Sequence, residues 1–273
     1  MSRFLWLILL FSFLFSGCAQ EEYDETEGWS QQKLFTEAND LLNSGDYERA
    51  IKYYEILESR YPYGQYAYQS QLNVAYAYYK FQEPDSAIAA ADRFIKFHQG
   101  HPATAYAWYL KGLANFNRGK GLMDKLLPSD DSQRDPGAEL DAYNDFAFVV
   151  EKFPESKYSE DSRARMLHLR NSLAMHEVHV ARYYMKRGAF VAAANRGKYV
   201  VQNYQKTPAL KEALEIMISA YTKLGMDDLA SDAQRVLEYN KGKGAFTQEL
   251  PALAEEEDNW IQDIWDKLGL DED

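Results

Sequence analysis

A short motif recurs along the chain, and this repetition constrains the fold more than any other feature of the sequence. Residues 45–50 read GDYERA, and loose copies follow at 82–87, 188–193 and 225–230. Four of the eight prolines fall where a unit would end: Pro62, Pro102, Pro154 and Pro208. Because proline terminates helices, each unit is expected to be a closed helical hairpin. Hairpins repeated in series predict a stacked array.

The units resemble tetratricopeptide repeats, which have a period of about 34 residues and small residues at two fixed positions. In the first unit, Ala38 and Ala50 occupy those positions, and a fifth helix carries the second alanine as Ala142. The resemblance implies an all-α solenoid of five helix hairpins. No Gly or Pro interrupts residues 156–187, so we expect a long helix that leads into the fourth repeat and divides the solenoid into two rigid halves.

The domain boundaries follow from these units. Repeats one to three occupy 31–155, and repeats four and five occupy 156–244 with the long leading helix. The third repeat contains an insertion at 119–136, which we expect to form a loop on one face. This loop is either a tolerated surface excursion or a contact for a partner.

The N-terminus has the pattern of a bacterial lipoprotein signal. Arg3 precedes an apolar run of 12 residues, 4–15, and Ser16 and Gly17 then precede Cys18. The run is shorter than the roughly 20 residues that span a bilayer, so 1–17 is expected to be a cleaved signal peptide. The position of Cys18 resembles the lipobox, which implies a covalent lipid on that thiol. Residues 18–30 are acidic and are expected to form a tether, although an ordinary signal peptide with an incidental cysteine is the alternative.

Charge and cysteine content exclude several classes of protein. The formal net charge is −12, and the excess of acidic over basic residues lies at the two ends of the chain, in 18–30 and 245–273. The repeat body therefore has almost no net charge, which argues against nucleic-acid binding. A single cysteine excludes an internal disulfide framework and a cysteine-based zinc cluster.

No motif in the sequence indicates an enzyme. His176 and His179 lie three residues apart, whereas a zincin motif needs a spacing of four to place both rings on one metal. We therefore predict no catalytic residue, no metal site and no cofactor other than the lipid on Cys18. Peptide binding is the remaining function, because stacked hairpins form a concave groove lined by the first helix of each pair.

The inward positions of tetratricopeptide repeats, carried over by resemblance, predict the lining of the groove in the first half. The predicted residues are Asn39, Asn43, Gln69, Tyr76, Tyr79, Lys80, Tyr106 and Tyr109. Tyrosine offers apolar area with a hydroxyl group, and amide side chains can bind the backbone of an extended peptide. The alternative is that these tyrosines belong to the core.

The acidic tail, 245–273, contains an amphipathic pattern. Its apolar residues are Trp260, Ile261, Ile264, Trp265 and Leu268, which share one face of a helix predicted over 258–269. This helix would either cap the array or dock on a partner.

Three sequence blocks are more specific than the general repeat pattern. They are 58–64 (ESRYPYG), 105–113 (AYAWYLKGL) and 182–190, which contains RYY and RGAF. These blocks resemble the BamD (ComL-type) family of outer-membrane lipoproteins, which belong to the β-barrel assembly machinery.

That resemblance implies a lipid-anchored protein on the periplasmic face of the outer membrane. Its C-terminal half would hold the last POTRA domain of the barrel subunit BamA, with Arg196 in a salt bridge, beside the other lipoproteins of the machinery. Its groove would bind the C-terminal strand of unfolded outer-membrane proteins. The alternative is a periplasmic repeat lipoprotein that scaffolds cell-wall or division enzymes.

Overall fold

The computed structural model describes residues 24–118, 132, 135–243, 246, 250, 251 and 253. These residues fold into helices joined by short turns, and the predicted all-α hairpin array is confirmed. The helices are α1 (Gln31–Ser44), α2 (Tyr47–Arg60), α3 (Gln65–Lys80), α4 (Pro84–Phe97), α5 (Thr104–Asn117), α6 (Gly137–Lys152), α7 (Ser159–Lys186), α8 (Phe190–Asn203), α9 (Ala209–Lys223) and α10 (Asp227–Gly242). The signal peptide, Cys18, most of the insertion and the predicted tail helix lie outside the described residues.

The recurring motif marks the turn between the two helices of a hairpin. Gly45, Gly188 and Gly225 adopt φ values of +83°, +73° and +69°, which is the left-handed conformation that ends a helix. Asp46 then starts α2, because its carboxylate accepts a hydrogen bond from the Arg49 amide at 3.3 Å. The sequence signal at 45–50 is therefore a helix stop followed by a helix start.

Each helix packs against its neighbours in the sequence, as expected of a repeat array. The first helices of successive hairpins also touch, since α3 contacts α1 and α5, and α9 contacts α7. Ala38 and Ala50 have no exposed surface, which lets α1 and α2 approach closely. None of the described helices is both long enough and apolar enough to cross a membrane.

The long helix α7 contains 28 residues and joins two hydrophobic cores. The first core extends from Ala38 in α1 to Leu169 in α7. The second begins at Ala174 in the same helix and extends to Ala220 in α9. Between residues 164 and 182 no side chain of α7 is fully exposed. This helix is therefore a central spine, buried or half-buried along its middle, whose two halves belong to different cores.

Residues 24–30, which lie within the predicted tether at 18–30, are packed on α2 in the structure. Asp24 forms a salt bridge with Arg60, and Arg60 Nη1 also donates to the Thr26 carbonyl at 2.6 Å. The Tyr53 hydroxyl donates to Glu25 at 2.6 Å. Hydrogen bonds from Thr26 to the Asp24 carboxylate, with Arg60 beside it, lower the pKa of Asp24.

Two described residues that follow α10 contact the folded body. Phe246 packs against a third cluster that includes Leu214 of α9 and Leu237 of α10. Further on, the Pro251 carbonyl lies 2.9 Å from His168 Nε2, which belongs to the middle of α7. Of the described residues at the beginning of the tail, Phe246 thus contacts the last hairpin and Pro251 contacts α7.

Candidate binding surfaces

The eight predicted groove residues lie on the first helices of the first three hairpins. Asn39 and Asn43 are on α1, Gln69 to Lys80 are on α3, and Tyr106 and Tyr109 are on α5. The structure buries five of them: Gln69, Tyr76, Tyr79, Tyr106 and Tyr109 are each at most 8% exposed. Asn43 is exposed, and Asn39 and Lys80 are half-buried. The surface that a ligand can reach directly is therefore much smaller than the sequence predicted.

Tyr158 and the first turn of α7 contact the two buried tyrosines of α5. The Tyr109 ring stacks on Tyr158, just before α7, with 5.0 Å between ring centroids, and Tyr106 lies 5.7 Å from the same ring. The Tyr109 hydroxyl donates to Asp161 at 2.7 Å. Burial raises the pKa of this hydroxyl. The sequence predicted that this long helix divides the solenoid. Tyr158 and Asp161, at its beginning, also lie against the tyrosines of the third repeat.

Asn39 takes part in a buried polar network rather than standing open to solvent. Its Oδ1 accepts hydrogen bonds from the Tyr54 hydroxyl and from Asn73 Nδ2, the latter at 3.0 Å. Tyr54 has no exposed surface, and burial raises the pKa of its hydroxyl. Because a buried polar group is costly unless it is hydrogen-bonded, this network fixes α1 against α2 and α3.

A charged cluster is buried between α5 and α6. Asp145 is only 5% exposed, and it accepts a hydrogen bond from Asn115 Nδ2 at 2.8 Å. Lys111 Nζ lies 3.5 Å from Asp145 and 2.8 Å from Asp92. Burial raises the pKa of Asp145 to about 6, although Lys111 and Asn115 oppose the shift. This cluster could not be recognised from the sequence, because its members come from three helices.

The predicted partner residue of the second half, Arg196, lies on the exposed side of α8. Its Nη1 donates to the two carboxylate oxygens of Glu177 at 2.9 and 3.2 Å. Glu177 comes from α7, and its side chain is 14% exposed against 44% for Arg196. The neighbours Asn195, Lys198 and Tyr199 are also exposed. Arg196 is therefore held in place by the spine while its guanidinium remains accessible.

The two closely spaced histidines of α7 hold part of the insertion. His176 Nδ1 lies 3.0 Å from the Ser132 carbonyl, and His179 Nε2 lies 2.9 Å from the Ser132 hydroxyl. His179 Nδ1 also accepts from Arg182 at 3.0 Å, and Arg182 pairs with Glu212 of α9. Within the part of the chain that the structure describes, no group of three or more His, Cys, Asp or Glu is placed to hold a metal ion.

Comparison with known proteins identifies the family. The family described as outer membrane lipoprotein, YfiO, matches residues 28–237. The outer membrane protein assembly factor BamD of Neisseria gonorrhoeae is 50% identical over 230 residues, which cover 84% of this chain and 86% of that protein. The protein of the same name from Xylella fastidiosa is 37% identical over 238 residues, which cover 86% of this chain and 81% of that protein. The chain belongs to this family.

The resemblance to the BamD family that the sequence blocks suggested is thereby confirmed. The chain is an outer membrane lipoprotein, and these relatives are named outer membrane protein assembly factors. Among solved structures, the crystal structure of MamA protein matches with a TM-score of 0.33 and 16% sequence identity. The match covers 81% of this chain and 98% of the MamA chain.

Sequence reasoning missed the contacts that attach the N-terminal segment. Arg60 and Tyr61 belong to the block 58–64 that identified the family. Arg60 binds Asp24, and the Tyr61 hydroxyl donates to the Trp29 carbonyl at 2.9 Å. The partners are more than 30 residues apart, so periodicity could not reveal the pairing. The high specificity of the block was the one available signal.

Proposed function

We propose that the chain scaffolds the β-barrel assembly complex, lipid-anchored through Cys18. Its C-terminal half holds the BamA POTRA domain next to the other lipoproteins of the machinery, and its N-terminal half receives unfolded outer-membrane proteins for insertion. The relatives are named assembly factors, and the two roles need two separate surfaces on one rigid body.

The observation that carries this proposal is the continuous spine α7. It belongs to the first core up to Leu169 and to the second core from Ala174. A partner bound to either core is thereby held at a fixed distance from the other, because an α-helix of 28 residues is a rod of about 42 Å. Holding two polypeptides in a fixed relation is what a scaffold requires.

Arg196 supports the assignment of the POTRA contact to the second half. A guanidinium that is oriented by Glu177 and still accessible can donate to a second carboxylate, on a partner, without a large loss of side-chain entropy. The exposed Tyr199 lies one turn from Arg196 on α8 and adds apolar area.

For the first half, the accessible residues Asn43 and Lys80 are the best candidates for first contact with a substrate. Both lie in the last turn of a first helix, on α1 and α3, which contact each other. Lys80 Nζ lies 5.8 Å from the centroid of the Tyr76 ring. A peptide bound at this rim would reach the buried tyrosines Tyr76 and Tyr79 only by displacing what covers them.

Affinity purification from a detergent extract tests the POTRA assignment. We expect the wild-type chain to recover BamA and Arg196→Glu to recover at least about tenfold less, because reversing an interfacial charge costs about 2 kcal/mol or more. Arg49→Glu is the matched control, since Arg49 is an exposed arginine with one carboxylate partner in the first half. Equal recovery by both variants would contradict the role of Arg196.

The same extract tests the function as a whole. A photo-crosslinking residue at Asn43 is expected to trap unfolded barrel proteins, and one at the exposed Glu48 on α2 is the control. Recovery of murein enzymes alone, with neither BamA nor barrel substrates, would instead identify the chain as a scaffold for cell-wall enzymes.

A further inference from the structure

The point at which the chain leaves the folded body is fixed by the N-terminal contacts. Asp24 pairs with Arg60 at the last position of α2, and Tyr61 binds the Trp29 carbonyl. Lys33 Nζ also lies over the Trp29 ring, 4.0 Å from its centroid. The exit point therefore lies at the end of the hairpins where second helices finish and first helices begin.

The distance from this exit point to the lipid is short. Five residues lie between Cys18 and Asp24 in the sequence, and the six steps from one Cα to the next span at most about 20 Å even when fully extended. The helix α3 contains 16 residues and is about 24 Å long. A lipid on Cys18 therefore places this end of the hairpins closer to the bilayer than the length of one helix.

The same end carries the two most exposed aromatic side chains of the described chain. Tyr63, in the turn between α2 and α3, is 84% exposed, and Phe97, at the end of α4, is 68% exposed. The rings of Tyr68 and His98 are 4.8 Å apart, which brings the first turn of α3 next to the end of α4. Both exposed rings thus belong to one edge, which we call the Tyr63–Phe97 edge.

The chemistry of this edge suits a phospholipid surface. Aromatic side chains are enriched at the boundary between headgroups and acyl chains, where an apolar ring and a polar tip are both accommodated. Lys96 Nζ lies 5.7 Å from the Phe97 ring centroid, and a long lysine side chain can reach the headgroups while its stem stays on apolar surface. Such exposure is costly in water and favourable at a membrane.

We propose that the Tyr63–Phe97 edge rests on the phospholipid surface of the membrane that holds the lipid anchor. The protein then contacts the membrane at two places, the lipid on Cys18 and the Tyr63–Phe97 edge. Two contacts restrict the tilt of the array relative to the bilayer, which a single anchor would not. This inference rests on the lipidation of Cys18 contained in the proposed function, and it adds a membrane-binding surface within the repeats.

Lipid quenching of a fluorophore tests the proposal in the full-length lipidated chain. The thioether blocks Cys18, so Tyr63→Cys and Phe97→Cys each provide a single reactive thiol for an environment-sensitive dye. The labelled proteins are reconstituted in vesicles of phosphatidylethanolamine and phosphatidylglycerol that contain a headgroup-region spin label. Phe81→Cys is the matched control, because Phe81 is 43% exposed at the opposite end of the same hairpin.

We expect severalfold greater loss of fluorescence at positions 63 and 97 than at position 81. Quenching that is equal at all three positions, or absent at 63 and 97 in vesicle-bound protein, would overturn the edge assignment alone. Crosslinking of the two thiols to a protein in cells without lipid quenching would assign the edge to that protein and overturn the proposal. Failure of the starting protein to sediment with vesicles would overturn the lipidation of Cys18 and this inference with it.

Discussion

At the scale of single residues, the structure shows buried polar groups that could not be recognised from the sequence. Asn39, which was predicted to line the peptide-binding groove, accepts two hydrogen bonds from side chains of its own chain. Asp145 is a carboxylate buried between α5 and α6, and the Lys111 ammonium group lies 3.5 Å from it. Such groups set the pH response of the fold, because burial disfavours the charged form of a carboxylate.

Asp145 provides a prediction for the dependence of stability on pH. Its pKa is raised to about 6 in the folded state, against about 3.9 in an unfolded chain. Between these values the folded state binds more protons than the unfolded state, so the favourable contribution of this group is present below about pH 4 and is lost as pH rises through about 6. We expect Asp145→Asn to remove this decline in the free energy of unfolding, which is on the order of 2–3 kcal/mol.

Urea unfolding of wild type and variant between pH 4 and pH 7 measures this effect. Subtracting the two curves cancels the other carboxylates, such as Glu212, whose pKa is lowered by hydrogen bonds from Arg182 and whose contribution falls towards acid pH. Asp92→Asn is the control, because it removes the more exposed partner of the same lysine and should retain the decline. Parallel curves for wild type and Asp145→Asn would refute the assignment.

At the scale of the elements, the close approach of neighbouring helices depends on single small residues. Gly197 of α8 faces α9, and an added Cβ would lie 2.8 Å from the Ala213 carbonyl oxygen and 2.7 Å from Met217 Cγ. The first of these is backbone and cannot move aside without shifting the helix. Gly242, near the end of α10, would meet nothing within 4 Å.

Gly197→Ala is therefore expected to destabilise the protein by about 1–3 kcal/mol through overpacking. Gly242→Ala should be neutral or stabilising by up to about 1 kcal/mol, because alanine has the higher helix propensity. Thermal unfolding followed by circular dichroism distinguishes the two. A Gly197→Ala variant as stable as wild type would show that α8 and α9 can separate at little cost.

Sequence reasoning located the helices and turns, but it could not show which side chains on each helix would be exposed. The repeat motif found the turns, because Gly45 and Asp46 encode a helix stop and start within a few residues. Periodicity does not show which neighbour covers a helix face. For Tyr106 and Tyr109 the sequence left groove and core open; the structure buries both side chains against Tyr158, and their role in binding stays a prediction.

At the scale of the whole molecule, α7 determines whether the array behaves as one body or as two. The two cores meet within this helix between Leu169 and Ala174. Proline in a helix interior removes a backbone hydrogen bond and costs about 3 kcal/mol or more, whereas the first turn tolerates it.

We expect Arg170→Pro to uncouple the halves, so that calorimetry shows two unfolding transitions in place of one. Glu160→Pro lies in the first turn of the same helix and is expected to retain a single transition. A single transition for both variants, at the wild-type temperature, would argue that the cores are coupled by contacts other than the spine.

The packing of each helix on its neighbours in the sequence also bears on how the protein acquires its structure. Because most contacts join segments that are close along the chain, little loop-closure entropy opposes their formation, and such topologies fold rapidly. A polypeptide that emerges from a translocation channel with its amino end first can thus complete one hairpin after another. The contact of Pro251 with His168 joins residues on either side of the last hairpin, so it would form after that hairpin has folded.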